Sequence, residues 1–253
     1  MDPRFDGIAR LYGEAGLRAL RSARVAVIGL GGVGSWTVEA LARSGVGQLT
    51  LVDLDDVCIS NTNRQLHALT NTVGHSKAAV LGQRVKQISP DTEVEVVEDF
   101  FTASSADAIL ERPLSVVVDA IDSFKNKCVL LDACRTRALP AVVVGGAGGR
   151  TDPSAVRLED ISKSEGCRLL AMLRKRLRQK HRFPRTGSWG VPCVYSPEPP
   201  RFPDGHGGVC ALRPDTSPGR LDCSGGFGAA TFVTGTFGFF AAKAAVDQIL
   251  ASP

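Results

Sequence analysis

Apolar and polar positions come in alternating blocks along the first 150 residues. Short apolar runs predict strands near 24–29, 48–53, 94–98, 115–120 and 141–145. Between them, apolar residues recur at helical spacing and predict helices near 33–44, 75–88, 104–111 and 124–138. One or two short helices are expected between residues 4 and 21. Strands alternating with helices predict an α/β fold with a mostly parallel, Rossmann-like sheet and right-handed crossovers. Beyond Gly149 the alternation stops. Segments 155–161, 191–196 and 208–212 read as short antiparallel strands, and a Pro- and Gly-rich loop spans about 196–220, long enough to suggest mobility or a substrate role. The expected organisation is one domain over 1–253, with a nucleotide-binding part at 22–150 and an extension at 151–253.

Residues 225–242 carry no charge and approach the length of a membrane span. Glycines and threonines interrupt the run, and Lys243 and Asp247 continue its helical phase. A buried loop and helix packed on the sheet is therefore expected.

Chemistry enters first at residues 29–34, Gly-Leu-Gly-Gly-Val-Gly, directly after the apolar run 24–28. Gly29, Gly31, Gly32 and Gly34 suit a turn that brings backbone amides to a phosphate at a helix N-terminus. Asp53 ends the second apolar run, where an acid accepts ribose hydroxyls. Both features also occur in NAD(P)-dependent oxidoreductases. The polar stretch 53–65 argues against that class, because it stands where a dehydrogenase would usually begin its next helix.

Charge divides unevenly. Residues 1–150 hold 16 basic and 17 acidic side chains, whereas residues 151–253 hold 14 and 9. Between 168 and 185 there are eight Lys or Arg and no acid, with Leu169, Leu170, Leu173 and Leu177 at helical spacing. This is an amphipathic helix whose basic face is either merely solvated or a contact surface for phosphates. The seven cysteines are odd in number and none forms a C-x-x-C pair, which fits reduced thiols. No basic-then-apolar leader opens the sequence, so a cytoplasmic location is expected.

The segment D-x-D-x-V-x-x-S-N-x-x-R-Q (53–65), Lys77 about a dozen residues later, and Asp122 after the apolar run 116–118 resemble the ATP site of the ubiquitin-activating superfamily, with its ThiF/MoeB-like adenylating fold. Within it, residues 55–68, the run Gly-Gly-Ala-Gly-Gly at 145–149 and Asp-Cys-Ser-Gly-Gly-Phe-Gly-Ala-Ala-Thr at 222–231 are similar to the tRNA threonylcarbamoyladenosine dehydratases. The likeness covers nearly the whole chain and is weakest between about 180 and 215. It implies an ATP-dependent cyclisation of threonylcarbamoyladenosine next to the anticodon through an adenylated carboxylate. The alternative it leaves open is adenylation of the C-terminus of a ubiquitin-like or sulfur-carrier protein.

The resemblance implies that Arg64 and Lys77 hold the triphosphate, that Asn61 orients the loop or a phosphate, and that Asp122 binds Mg²⁺. Asp122 also suits the N-cap of the helix expected to follow it. Arg10, or Arg4, would reach a phosphate across a homodimer interface. Cys223 lies inside a family-like motif, yet a single cysteine is ordinarily a small buried apolar side chain. His67 and His75 have no visible partner and read as structural. With tRNA as substrate, Arg174, Lys175, Arg176, Arg178 and Lys180 become candidate backbone contacts, and sulfur-transfer or carrier proteins become possible partners. The missing C-x-x-C pairs predict no zinc.

Overall fold

The structure, a computed structural model, describes residues 2–212 and 227–251. A short 3₁₀ turn leads into α1 (Asp6–Ser22), which is kinked at Gly13 and so forms two helical pieces. Then β1 (Arg24–Ile28), α2 (Gly34–Arg43), β2 (Gln48–Val52), α3 (Lys77–Ile88), β3 (Glu93–Val97), α4 (Ala106–Leu110), β4 (Val116–Asp119), α5 (Phe124–Thr136) and β5 (Ala141–Val144) follow the expected alternation. The second half adds β6 (Arg157–Asp160), α6 (Arg168–Lys180), β7 (Pro192–Tyr195), the two-residue strands β8 (Phe202–Pro203) and β9 (Val209–Cys210), and α7 (Thr231–Ala251).

Seven strands form one sheet in the order β3-β2-β1-β4-β5-β7-β6. All neighbouring pairs are parallel except β6 with β7. This corrects the expectation for 191–196. That strand is antiparallel to β6 but runs parallel to β5 and so extends the parallel sheet. Periodicity could not reveal this, because the strand's partner lies some fifty residues back in the chain.

Side-chain alternation divides the core into two layers. Val25 and Val27 of β1 face the layer that includes Val38, Leu41, Leu81, Val233 and Phe237 from α2, α3 and α7. Ala26 and Ile28 face the other layer, with Ile109, Leu130, Leu131, Leu170, Leu173 and Leu177 from α4, α5 and α6. The central strands β1, β4 and β5 are therefore apolar at nearly every position, as expected for strands covered on both faces. α7 buries most of its circumference against the sheet and α2 and leaves one stripe, Phe232, Phe239, Lys243 and Asp247, exposed. Among the described residues no helix is long and apolar enough to cross a membrane.

Candidate active site

At the C-terminal end of the sheet the chain leaves β1 toward β2 and β3 on one side, then returns to β4 and β5 on the other. A crevice opens at such a reversal. The glycine turn fills its floor. Gly29 has φ +86°, and a Cβ built on it would lie 2.9 Å from the Ala120 carbonyl oxygen, so neither the conformation nor the space admits a side chain. A Cβ on Gly34 would stand 1.9 Å from the Gly29 carbonyl oxygen. The turn is thus closed on itself at the first residue of α2, a helix end whose dipole favours an anion.

Asp53 fixes this turn from β2. Its Oδ2 accepts the Leu30 amide at 2.6 Å and its Oδ1 the Asp55 amide at 2.9 Å. Burial pushes its carboxyl pKa up, against the opposing pull of these amides and of Lys77. The acid read as a ribose ligand is therefore also a brace, joining β2 to the phosphate turn.

Segment 58–68 arches over the crevice. Asn61 is buried and accepts the Cys58 amide at 3.0 Å, which closes the turn that presents Arg64. The Arg64 carbonyl is held twice, by the Trp36 indole at 3.1 Å and the Thr234 hydroxyl at 3.2 Å. Its guanidinium donates to the Ser60 carbonyl at 2.8 Å, and its Cγ lies 3.3 Å from where a Cβ on Gly32 would stand. Asn63 donates to the Ala229 carbonyl at 2.8 Å and accepts Thr231 through its own carbonyl at 2.6 Å. The start of α7 thus pins the arch.

Lys77 opens α3 behind the N-cap Ser76 and is buried. Its ammonium meets Asp55 Oδ2 at 2.7 Å. Asp55 is half exposed, so a polyphosphate can replace it as the partner of Lys77. Asp122 sits exposed between β4 and α5, and its carboxylate has no hydrogen bond or ion pair with the described residues. Asp122 is not the N-cap of α5; that place is taken by the neighbouring Ser123, whose hydroxyl accepts the Asn126 amide. A single free carboxylate oxygen donor suits Mg²⁺ that takes its remaining ligands from phosphates and water. No cluster of three or more His, Cys, Asp or Glu suited to a metal occurs among the described residues.

Four residues of this region were not singled out by sequence reasoning as site elements. Asp55 holds Lys77. The Gln65 amide stands over Gly31, within 3.9 Å of a Cβ built there. Asp119 and Lys127 form a fully buried pair at 2.9 Å directly behind Asp122. A signal for the pair was present, since Lys127 shares the buried stripe of Leu130, Leu131 and Cys134 on α5. His67, read as structural, is 2 % exposed with both ring nitrogens unpartnered; burial and then Lys77 lower its pKa to about 4.

The remaining candidates lie elsewhere. Arg10 is exposed on α1. On α6, Leu170, Leu173 and Leu177 are buried and Lys175, Arg176 and Lys180 exposed. Arg174 donates to Ser164 and to the Ile161 carbonyl, whereas Arg178 donates to the Pro184 carbonyl and lies 5.3 Å over the Trp189 ring. Cys223 and much of the 222–231 motif lie outside the described residues. A cavity of about 400 Å³ opens at the opposite end of the sheet from the glycine turn, beside Phe5, Arg21 and Gln48.

A glycine turn at a sheet reversal, a braced acid, two cations and a free carboxylate define a nucleotide-binding α/β protein with the layout of an adenylating enzyme. The chain belongs to the ThiF family, whose model matches residues 6–250. It is 46 % identical to the tRNA threonylcarbamoyladenosine dehydratase of Escherichia coli, over 98 % of this chain and 94 % of the relative. The crystal structure of E. coli TcdA in complex with ATP superposes with a TM-score of 0.85, at 43 % identity over 98 % of this chain and 94 % of that one. The likeness to the sulfur carrier protein adenylyltransferase of Thermus thermophilus, 36 % identical, covers 51 % of this chain and 48 % of that relative.

Proposed function

We propose that the chain is an ATP-dependent tRNA threonylcarbamoyladenosine dehydratase working through carboxylate adenylation. The observation that supports this reading is the similarity of the chain, end to end, to such a dehydratase, with Arg64 beside Gly32 and the segment before Asp122 against Gly29. Carboxylates resist acyl substitution because oxide is a poor leaving group. In the first step a carboxylate oxygen of the threonyl group bonds to the α-phosphorus of ATP and pyrophosphate leaves. Arg64 and Lys77 neutralise the charge that grows on the phosphates. Mg²⁺ held by Asp122 would screen the same oxygens. A nitrogen of the carbamoyl group then attacks the mixed anhydride, loses its proton, and AMP departs. Because both groups sit on one substituent, ring closure has a large proximity advantage. The net change is loss of water.

The alternative, activation of a ubiquitin-like or sulfur-carrier C-terminus, has less support, because the relative of that kind aligns with only about half of the chain. On the dehydratase reading tRNA is the partner, the cytoplasm the place of action, and 151–253 the substrate-side extension of a single unit with 22–150. We take the working form to be a homodimer with Arg10 or Arg4 acting across the interface. The exposed Leu11 beside Arg10 on α1 is in keeping with this.

The test is to incubate the protein with tRNA bearing threonylcarbamoyladenosine, ATP and Mg²⁺, and to weigh the nucleosides. Loss of one water from the modified adenosine, with stoichiometric AMP, is expected from the natural chain, and neither from Asp122→Ala with its melting temperature unchanged. Unaltered nucleosides in the presence of full AMP release would point instead to a different carboxylate. Near-normal turnover by Asp122→Ala at saturating Mg²⁺ would remove Asp122 from the site. Sedimentation as a monomer at micromolar concentration would remove the homodimer and the arginine acting across it.

A further inference from the structure

We propose that the buried Asp119–Lys127 ion pair is a positioning device for Asp122, setting where the Mg²⁺–phosphate unit can sit. This rests on the reading of Asp122 as the Mg²⁺ ligand given above. Asp119 is the last residue of β4 and Lys127 lies in the first turns of α5, so the two ends of the segment 120–123 that carries Asp122 are tied to each other. The Lys127 ammonium donates to Asp119 Oδ1 at 2.9 Å and to the Asp119 carbonyl at 3.2 Å. The same Oδ1 accepts the Ile121 amide at 3.1 Å. The strand end, the connecting segment and the helix are thereby closed into one ring of bonds.

That ring also touches the phosphate turn. The Ala120 amide donates to the Ile28 carbonyl at 2.9 Å, and the Ala120 carbonyl is the group a Gly29 side chain would strike. A shift of segment 120–123 would therefore move Asp122 relative to the glycine turn that receives the phosphates.

Stability alone does not account for the pair. Both side chains are 0 % exposed, and Asp119 Oδ2 has no partner among the described residues. Two apolar side chains of similar volume would fill the space without the desolvation cost, and such replacements are often neutral or stabilising. A charged pair bonded to two backbone groups of this stretch, the Asp119 carbonyl and the Ile121 amide, supplies direction, which an apolar contact does not.

The experiment compares ATP affinity in Mg²⁺ with ATP affinity in EDTA, alongside thermal melts and AMP binding without metal. The informative variant is the double Asp119→Leu/Lys127→Met, which removes both charges together. It should remain folded and bind AMP as before, yet lose about tenfold or more of the Mg²⁺-dependent gain in ATP affinity, the size typical of losing an outer partner of a metal ligand. Asp119→Asn, which keeps the shape and the Ile121 contact, should lose a smaller part of that gain and supplies the reading if the double variant folds poorly. Asp122→Asn is the reference and should abolish the gain. If Asp122→Asn abolishes it while both pair variants retain it, the positioning role is overturned and the pair is only a core contact. If Asp122→Asn itself retains it, the assignment of Asp122 fails, and the positioning role fails with it.

Discussion

His67 offers a test of the electrostatics beside the nucleotide crevice. The imidazole is 2 % exposed, neither ring nitrogen has a partner among the described residues, and the Lys77 ammonium acts on it. Burial is the larger cause and Lys77 the second, and together they hold its pKa at about 4, below the ordinary 6.5. A folded-state pKa below the unfolded one means that the unfolded chain takes up the proton first as pH falls. The associated stability is therefore complete above pH 6.5, declines as pH falls below it, and is gone below pH 4. For a single site with these two values, linkage predicts a loss of about 2 kcal/mol between pH 7 and pH 5. The perturbation is His67→Phe, which keeps a ring of similar size, removes the titrating group and two unpartnered nitrogens, and should cost less than about 1.5 kcal/mol at pH 7. Urea unfolding of both proteins at pH 7, 6 and 5 gives the comparison, because other titrations are common to the two chains and cancel. The variant should be less sensitive to acid by about 2 kcal/mol over that interval. Parallel pH profiles, or an NMR titration of His67 near its ordinary value, would refute the reasoning.

Gly34→Ala places a methyl group 1.9 Å from the Gly29 carbonyl oxygen, so the turn must open. Thermal melts should show a loss of at least about 2 kcal/mol, with weakened ATP binding, and an unchanged melt would contradict the closed turn. On α6, neutralising Lys175 and Arg176 should weaken tRNA binding and make the slope of log affinity against log salt shallower by about 0.7 to 0.9 per lost contact. AMP affinity should not change, and an unaltered slope would return this face to plain solvation. Arg174→Gln should instead lower the melting temperature, because that guanidinium is tied to Ser164 and the Ile161 carbonyl. Among Cys58, Cys128, Cys134, Cys167 and Cys193, iodoacetamide should label Cys58 fastest. It is exposed and its thiol pKa is lowered by hydrogen bonding to Ser60, whereas burial pushes Cys134 and Cys193 up to about 12. Peptide mapping after timed labelling decides this, and equal labelling of Cys134 would count against the packing of α5.

The local sequence determined what local physics controls. Apolar runs specified the strands, helical spacing specified α2, α3, α5 and α6, and the glycines with Asp53 specified a phosphate turn, because each of these depends on neighbours within a few residues. The proposal of Arg64, Lys77 and Asp122 for one site was legible only through a pattern shared with a known family. Tertiary structure decided the rest. β7 joins β5 in parallel because the two meet only when α6 packs back on the sheet. Arg64 is aimed by Trp36 and by Thr234, the latter 170 residues away, so no window of sequence contains its support. Arg174 and Arg178 look the same as Lys175 and Arg176 in a charge count, yet they are occupied by backbone carbonyls that approach only in the folded chain. Lys127 breaks an apolar stripe on α5, which signals a buried acid but not which one. Asp119 is chosen because β4 ends just before α5 begins, which brings its carboxylate to the Lys127 ammonium.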